Sequence, residues 1–394
     1  MAARRLLTRT AALANMSNDL SSAQPALKKA RTEDKEWKEA RAGEARTFKK
    51  TPAGEKTSAG EKASFDVRKE VEKVRQEEND RAMAAADLYG KTAELIPLVL
   101  PSKVRRPDAK ERVTILHDTV DQFKTKGADI RATALSNMER WEASVSTPLK
   151  PPSVQVRVIQ GDVLEATHEL TKTVGRLVAA INMANEVCPG GGYLTGCTAQ
   201  EENMARRTDL HFYLDKKVVV HKKGRHARYT PAMTELLSGM HGSVYLSSEP
   251  LICIKGREVW TAGSVEGYAP LDASEIFPFL ELRTAAVDTD NFEDNNQLIF
   301  ENMTGRVRAQ FNTLKQRQVR HVVLSAFGCG AFGNDANTVA AIYKAALIEF
   351  AEDFDEVIFA IYYAGHGENN FEVFRNVLLD ASPPLKRPGA LNHY

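Results

Sequence analysis

Beyond residue 153, short apolar runs rich in β-branched residues alternate with longer segments in which apolar positions recur at helical spacing. The apolar runs predict strands at 154–159, 177–181, 218–220, 251–254, 321–325 and 356–362. The longer segments predict helices at 164–173, 201–214, 293–316, 337–352 and 371–379. Alternation of this kind is typical of an α/β domain with a largely parallel central sheet. Ligands of such sheets bind at the carboxyl ends of the strands.

The first 150 residues follow different patterns. Val67, Val71 and Val74 recur every three or four positions, and a second helical stretch runs from about 108 to 144 with an interruption near Gly127. Prolines then end the helical pattern near residue 150. The predicted organisation is a disordered tail at 1–65, a helical extension at 66–150, an α/β domain at 151–382 and a C-terminal tail at 383–394.

Composition narrows the class of protein. Apolar residues make up 43% of the 394 residues and charged residues 27%, which predicts a soluble globular protein and no membrane partner. The 53 Lys and Arg balance the 52 Asp and Glu, so the overall charge favours no polyanion and we predict no direct DNA binding. The four cysteines form no CxxC pair, and the histidines are scattered. We therefore expect no metal and no other cofactor.

The N-terminal residues carry two competing targeting signals. The first 18 residues contain three arginines and no acid, which is typical of a mitochondrial transit peptide. Residues 28–31, Lys-Lys-Ala-Arg, form a basic cluster like those of nuclear signals. A disordered tail with no targeting function is the third alternative. The localisation therefore stays open between the nucleus, the cytoplasm and the mitochondrion.

Two glycine-rich loops follow two buried strands. Loop 1, residues 182–192, contains Gly190, Gly191 and Gly192, and loop 2, residues 326–334, reads Ala-Phe-Gly-Cys-Gly-Ala-Phe-Gly-Asn. Glycines allow backbone N–H groups to converge on a phosphate, and a helix N-terminus after the loop adds its dipole. Two such loops could bind one diphosphate.

Two adjacent acidic residues begin the helix that follows loop 1. Gln200, Glu201 and Glu202 stand seven residues after the triple glycine. Neighbouring side chains on a helix point about 100° apart, so the two carboxylates have different roles if they act on a substrate. The alternative is that both only stabilise the positive end of the helix dipole.

Four separated motifs resemble those of poly(ADP-ribose) glycohydrolases of the compact microbial type, which are macrodomain-fold enzymes. In order, the motifs are Asn182–Ala184 with Pro189–Gly192, Gln200–Glu202, Tyr229–Pro231 and Gly328–Asn334. The resemblance covers about residues 153–380 and covers residues 1–150 poorly, if at all. Cys188 and Met183 depart from the Asn and Phe that are usual in this type, which leaves the chain-length preference open.

The resemblance implies a macrodomain-like mixed central sheet flanked by helices. It also implies hydrolysis of the ribose–ribose O-glycosidic bond of poly(ADP-ribose), with release of ADP-ribose. Glu202 would act as general acid and then as general base toward water, and Glu201 would hold ribose hydroxyls with help from Asn185. The expected partners are poly(ADP-ribose) and ADP-ribosylated proteins, and we expect a monomer.

The remaining substrate contacts also follow from the resemblance. Asp162 would accept a hydrogen bond from the adenine amino group, the diphosphate would lie between the two loops, and Phe332 would press on the distal ribose. The full predicted substrate-binding set is Asp162, Asn185, Gly190, Gly191, Gly192, Gln200, Gly328, Cys329, Gly330, Ala331, Phe332, Gly333 and Asn334. Tyr362, Tyr363 and Phe371 are alternative adenine platforms.

Two questions stay open from the sequence alone. The basic stretch 216–228 either contacts a second polymer unit or is a solvated loop. A noncatalytic ADP-ribose reader and a hydrolase of single ADP-ribosyl groups are the alternative functions.

Overall fold

A computed structural model describes residues 89, 96, 98–145, 153–214, 218–220, 227–261, 264–291, 295–363 and 368–379. All of them belong to one compact unit that spans residues 65–394. The predicted tails, the valine-containing helical stretch near residue 70 and most of the basic stretch 216–228 lie outside the described residues.

The described helices include those predicted from residue 108 onward and one more, at 231–237, that is not predicted. They are α1 (Pro107–Ser144), α2 (Val163–Val174), α3 (Gln200–Arg207), α4 (Pro231–Leu237), α5 (Asn296–Gln316), α6 (Ala336–Glu349) and α7 (Asn370–Leu379). Short 3-10 helices occur at Pro101–Lys103, Tyr193–Thr195, Asp209–Tyr213, Ala273–Glu275 and Thr289–Asn291. The predicted helix 201–214 is thus divided into α3 and a 3-10 turn. None of the described helices is long and apolar enough to cross a membrane.

The described strands include all those predicted and several more. They are β1 (Gln155–Gln160), β2 (Ala179–Met183), β3 (Val218–Val220), β4 (Ala227–Tyr229), β5 (Tyr245–Leu246), β6 (Leu251–Cys253), β7 (Glu258–Thr261), β8 (Ser264–Gly267), β9 (Phe277–Thr284), β10 (His321–Leu324) and β11 (Glu356–Ile361). The longest strand, β9, is not predicted from the pattern. It contains a proline and two charged residues in an otherwise apolar run.

The central sheet is mixed and has seven strands. Its order is β1-β11-β10-β2-β9-β5, and β6 also pairs with β9. The strands from β1 to β9 in this order run parallel, whereas β5 and β6 are antiparallel to β9. The β3–β4 and β7–β8 hairpins form separate two-stranded sheets. The predicted α/β class, with a mixed sheet flanked by helices, is confirmed.

Helix α1 packs into the same hydrophobic core as the sheet. Leu116, Val120 and Phe123 are fully buried in the cluster that also contains the strand residue Val323. The interruption expected near Gly127 is wrong, because the helix continues through that glycine. The Tyr89 ring occupies the space that a Cβ at position 127 would need, so glycine here serves close packing and not a break.

A buried carboxyl group links the segment before α1 to the sheet. Asp209 accepts hydrogen bonds from the Tyr89 hydroxyl at 2.6 Å and from the Ile252 N–H at 2.8 Å. Burial opposes its ionisation and raises the pKa of Asp209 to about 6. Because the folded protein keeps a proton that the unfolded chain has lost, this group lowers stability as the pH rises from about 4 to 6.

Replacing Asp209 by asparagine is expected to remove this pH dependence. Between pH 4 and pH 7, the free energy of unfolding of the unaltered protein should fall by about 2–3 kcal/mol relative to that of the variant. Urea denaturation at both pH values measures it, and the exposed Asp129→Asn variant is the control for a charge change on the surface. A difference that is the same at both pH values would contradict the assignment.

Candidate active site

Loop 1 and loop 2 lie side by side at one edge of the sheet. Strands β2 and β10 are parallel neighbours, with Val322 paired to Ala179 and Val323 to Ala180. Each strand runs directly into its loop, so both loops leave from carboxyl ends. The sheet topology therefore confirms the predicted placement of the two loops.

Loop 1 is folded by its own polar groups. The Asn185 side-chain oxygen accepts hydrogen bonds from the N–H groups of Val187 at 2.9 Å and Cys188 at 2.7 Å. Gly190 and Gly191 then have positive φ angles of 72° and 56°, which favour glycine. The side chain of Asn185 therefore stabilises the turn, and the Asn185 backbone N–H remains available to a group outside the turn.

The carboxyl groups of Glu201 and Glu202 are buried beneath this turn. Asn185 N–H donates to Glu201 Oε2 at 2.8 Å, and Gly192 N–H donates to Glu202 Oε1 at 2.7 Å. A Cβ added to Gly191 would lie 2.5 Å from Glu202 Oε1 and 3.0 Å from Glu201 Oε2, so the two carboxyl groups meet at this glycine. The other oxygens, Glu201 Oε1 and Glu202 Oε2, are buried and have no hydrogen-bond partner in the described part of the chain.

The electrostatics around Glu201 favour retention of its proton. Burial, together with the negative charge of Glu202, raises the pKa of Glu201 well above its usual range. Hydrogen bonding from Asn185 and the positive charge of Arg283 act in the opposite direction but do not outweigh burial. Glu201 therefore keeps its proton at pH values where an isolated carboxyl group would have lost it.

A buried ion pair on β9 supplies that positive charge. Arg283 Nε donates to Glu281 Oε1 at 2.8 Å and Arg283 Nη2 to Glu281 Oε2 at 2.7 Å, and both side chains are almost completely buried. The guanidinium lies 4.6 Å from the centre of the Tyr245 ring. Neither residue is among those predicted from the sequence. Their signal is an acid and an arginine two positions apart, which places them on one face of a strand.

Gln200 connects α3 to the sheet. Its side-chain oxygen accepts a hydrogen bond from Met183 N–H at 2.9 Å, and its Nε2 donates to the Ile181 carbonyl at 2.8 Å. Both partners belong to the backbone of β2. The structure thus places Gln200 between the strand before loop 1 and the helix that carries the two glutamates.

Asp162 lies at the start of α2, and its side chain accepts two hydrogen bonds. Its Oδ1 accepts from Glu165 N–H at 2.9 Å as the helix cap, and it accepts from Arg207 Nη1 at 2.8 Å in an ion pair. Arg207 is buried and is the last residue of α3. Asp162 follows β1, on the far side of β11 and β10 from loop 1.

Loop 2 is held from behind by the segment that follows β9. Asn334 Nδ2 donates to the Val287 carbonyl at 2.7 Å and to the Gly328 carbonyl at 3.0 Å, and Thr289 Oγ1 donates to the Phe332 carbonyl at 3.0 Å. These contacts leave the tip of the loop on the surface, where Phe332 is half-buried and Gly330 and Ala331 are exposed.

The tip of loop 2 presents unused donors. Within the described residues, the N–H groups of Gly330, Ala331 and Phe332 have no hydrogen-bond partner. Burial raises the pKa of Cys329, at the base of the tip, to about 12, so its thiol stays protonated. The loop can therefore offer uncharged backbone donors to an anion.

The aromatic candidates lie after β11, the neighbour of β10. Tyr362 is 61% exposed, whereas Tyr363 and Phe371 are half-buried. Asn370 Nδ2 donates to the Cys329 carbonyl at 3.4 Å, which brings the start of α7 to loop 2. All three rings remain candidates for an adenine platform. Among the described residues, no three His, Cys, Asp or Glu side chains come together as ligands of a metal would.

The family model for the catalytic domain of microbial-type poly(ADP-ribose) glycohydrolase, or PARG, matches residues 108–234. The match contains loop 1, the two glutamates and Tyr229–Pro231, and loop 2 lies beyond it. It confirms the resemblance and extends it to α1, where little coverage was expected. No curated protein sequence matches the chain.

The fold is similar to solved PARG structures. One is the enzyme from Thermomonospora curvata, with 21% sequence identity over 68% of this chain and 99% of that chain and a TM-score of 0.48. Another is the complex of Deinococcus radiodurans PARG with ADP-ribose, with 20% identity over 64% of this chain and 91% of that chain and a TM-score of 0.41.

Proposed function

We propose that this protein hydrolyses the ribose–ribose O-glycosidic bonds of poly(ADP-ribose) and releases ADP-ribose, and that its residues Glu202 and Glu201 act at the bond. The observation that carries the proposal is the buried pair of carboxyl groups under loop 1. Each has one oxygen held by a backbone N–H and one without a partner among the described residues. The match to the PARG catalytic domain supports the same reaction.

Glu202 is suited to move a proton at the scissile bond. Its Oε1 is fixed by Gly192 N–H, which leaves Oε2 to protonate the departing 2′-oxygen and later to take a proton from the attacking water. Glu201 Oε1 would accept a hydrogen bond from a ribose hydroxyl, and burial strengthens that contact.

The diphosphate would be bound by loop 2 from the side that faces solvent. The unpartnered N–H groups of Gly330, Ala331 and Phe332 suit an anion that approaches the backbone closely. Phe332 would contact the distal ribose, and Asp162 would still have Oδ2 for the adenine amino group, because both of its hydrogen bonds use Oδ1. We propose that the protein acts as a monomer on poly(ADP-ribose) and on ADP-ribosylated proteins.

Gly330→Ala is expected to weaken ADP-ribose binding without a change in the fold. Apart from its two chain neighbours, no described residue has an atom within 4 Å of the added methyl group, so we attribute a loss of affinity to contact with the ligand. We expect a Kd for ADP-ribose at least about tenfold higher, which corresponds to 1.4 kcal/mol, because the methyl group blocks close approach of phosphate. Titration calorimetry measures it, with Gly305→Ala on α5 as the control that is equally open. Unchanged affinity would remove loop 2 from the binding site.

The product released from polymer tests the function. The purified protein is incubated with automodified polymerase that carries labelled poly(ADP-ribose), and the soluble products are separated by chromatography. Free ADP-ribose is the expected product. Binding of polymer without any product would make the protein a reader, and removal only of single groups from serine-, aspartate- or arginine-linked substrates would make it a mono-ADP-ribosyl hydrolase.

A further inference from the structure

A buried tyrosine hydroxyl contacts α3 immediately after the two glutamates. Tyr268 accepts hydrogen bonds from Asn203 Nδ2 at 3.0 Å and from Arg206 Nε at 2.6 Å, and it donates to Glu258 Oε2 at 2.7 Å. One donated and two accepted hydrogen bonds are the full capacity of a hydroxyl. Burial raises the pKa of this hydroxyl, so it keeps the proton that it donates. One oxygen atom therefore joins α3 at two positions to the β7–β8 hairpin.

The backbone of Tyr268 is held in an unfavourable conformation. Its φ angle is +51°, and Gln318 is the only other non-glycine residue with a positive φ in the described part of the chain. Such a conformation persists when surrounding contacts over-determine it. Two sets of contacts hold Tyr268 in this conformation. They are the three hydrogen bonds of the hydroxyl and a 3.0 Å hydrogen bond from Tyr268 N–H to the Arg257 carbonyl.

The partner of the hydroxyl is fixed from the other side by α1. Glu258 Oε1 accepts from Arg112 Nε at 3.0 Å and from Arg112 Nη2 at 2.8 Å. Burial disfavours ionisation of Glu258, but the hydrogen bonds from Arg112 and Tyr268 outweigh it and lower the pKa of Glu258. Tyr268 is thus attached to an ion pair between Glu258 on β7 and Arg112 on α1.

A short series of hydrogen bonds leads from α3 to the carboxyl group of Glu202. Arg206 Nη1 donates to the Cys197 carbonyl at 2.8 Å, and Cys197 N–H donates to the Gly192 carbonyl at 3.2 Å. Gly192 N–H in turn donates to Glu202 Oε1 at 2.7 Å. A shift of Arg206 would therefore move the residue that orients the proposed acid.

We propose that Tyr268 is a positioning residue that fixes α3 and the segment before it, so that Glu202 points at the scissile bond. Tyr268 acts through Arg206 and Asn203 and touches no reacting atom. The inference rests on the proposed function for its catalytic consequence, whereas its structural part concerns only the orientation of α3 and of Gly192.

Tyr268→Phe tests the role of the hydroxyl alone, because the ring and the backbone are unchanged. Loss of positioning should lower kcat for polymer by about ten- to a hundredfold. The Kd for ADP-ribose should stay within about threefold, because loop 2, to which the diphosphate is assigned, is not part of this series of hydrogen bonds. Tyr343→Phe is the matched control, since this fully buried hydroxyl donates one 2.9 Å hydrogen bond to Gln310 between α5 and α6. Its kcat should equal that of the unaltered protein.

Hydrogen exchange gives a measurement that does not depend on activity. In Tyr268→Phe the amides of residues 200–207 and of Gly192 should exchange faster than in Tyr343→Phe. An unchanged kcat, equal losses of kcat in the two variants, or unchanged exchange at Gly192 would overturn the proposal. If the unaltered protein releases no ADP-ribose, the proposed function fails and the exchange data still decide whether Tyr268 positions α3. Asn203→Ala, which removes one donor at a half-buried position, decides the same question if Tyr268→Phe does not fold.

Discussion

Glu202→Gln is expected to lower kcat for poly(ADP-ribose) by about 10²- to 10⁴-fold, the usual contribution of general acid–base catalysis. The glutamine oxygen can still accept the 2.7 Å hydrogen bond from Gly192 N–H, so the side chain keeps its place. It cannot deliver a proton to the departing oxygen. The Kd for ADP-ribose should therefore stay close to that of the unaltered protein. Release of ADP-ribose from labelled polymer measures turnover, and calorimetry measures binding.

Two further variants serve as comparisons for Glu202→Gln. Glu201→Gln should mainly impair binding of the substrate, because Glu201 is assigned to a ribose hydroxyl and not to the proton transfer. Glu301→Gln, on the exposed face of α5, controls for the loss of one negative charge and should behave as the unaltered protein does. Full activity of Glu202→Gln would exclude Glu202 as the acid. If Glu201→Gln lost more kcat than Glu202→Gln, Glu201 would be the acid and Glu202 the residue that binds the ribose.

Gly191→Ala is expected to lower kcat by about 10²-fold through displacement of both carboxyl groups. The added methyl group would lie 2.5 Å from Glu202 Oε1 and 3.0 Å from Glu201 Oε2, distances that force these oxygens to move. A displacement of about 1 Å in a catalytic group can lower a rate by this factor. Single-turnover kinetics on polymer measure the effect on the chemical step.

Backbone strain needs a separate control, because Gly191 has a positive φ of 56°. Gly242 has a φ of 71°, and apart from its two chain neighbours no described residue has an atom within 4 Å of an added methyl group. Gly242→Ala therefore carries the same kind of strain without a clash at the carboxyl groups. It should lose stability but keep kcat. If the two variants lose kcat equally, strain and not displacement of the glutamates explains the effect.

Strand β9 shows where pattern recognition along the chain failed. Pro278, Glu281 and Arg283 interrupt its apolar run, and each is typical of an exposed segment when it is considered alone. In the folded protein Glu281 and Arg283 neutralise each other inside the sheet. Removing two charges from water costs free energy, and their attraction offsets that cost only where the surrounding packing holds them in good geometry.

The two glutamates give the opposite example. Their residue types and their distance from the triple glycine are sufficient to indicate the chemistry. Neighbouring positions on a helix diverge by about 100°, so the pattern alone leaves open how both could act at one point. Their convergence depends on Gly191, which has no side chain where the two carboxyl groups meet, and on the N–H groups of Asn185 and Gly192.

The order of residues along the chain was enough for the α/β class, for the two loops at strand ends and for the acidic pair, because periodicity and glycine placement act over short distances. The folded structure alone established that β2 and β10 are neighbours. It alone placed a buried ion pair beside Glu201 and connected α3 to Tyr268. These features depend on contacts between residues far apart in the chain, and no local pattern of polar and apolar positions encodes such contacts.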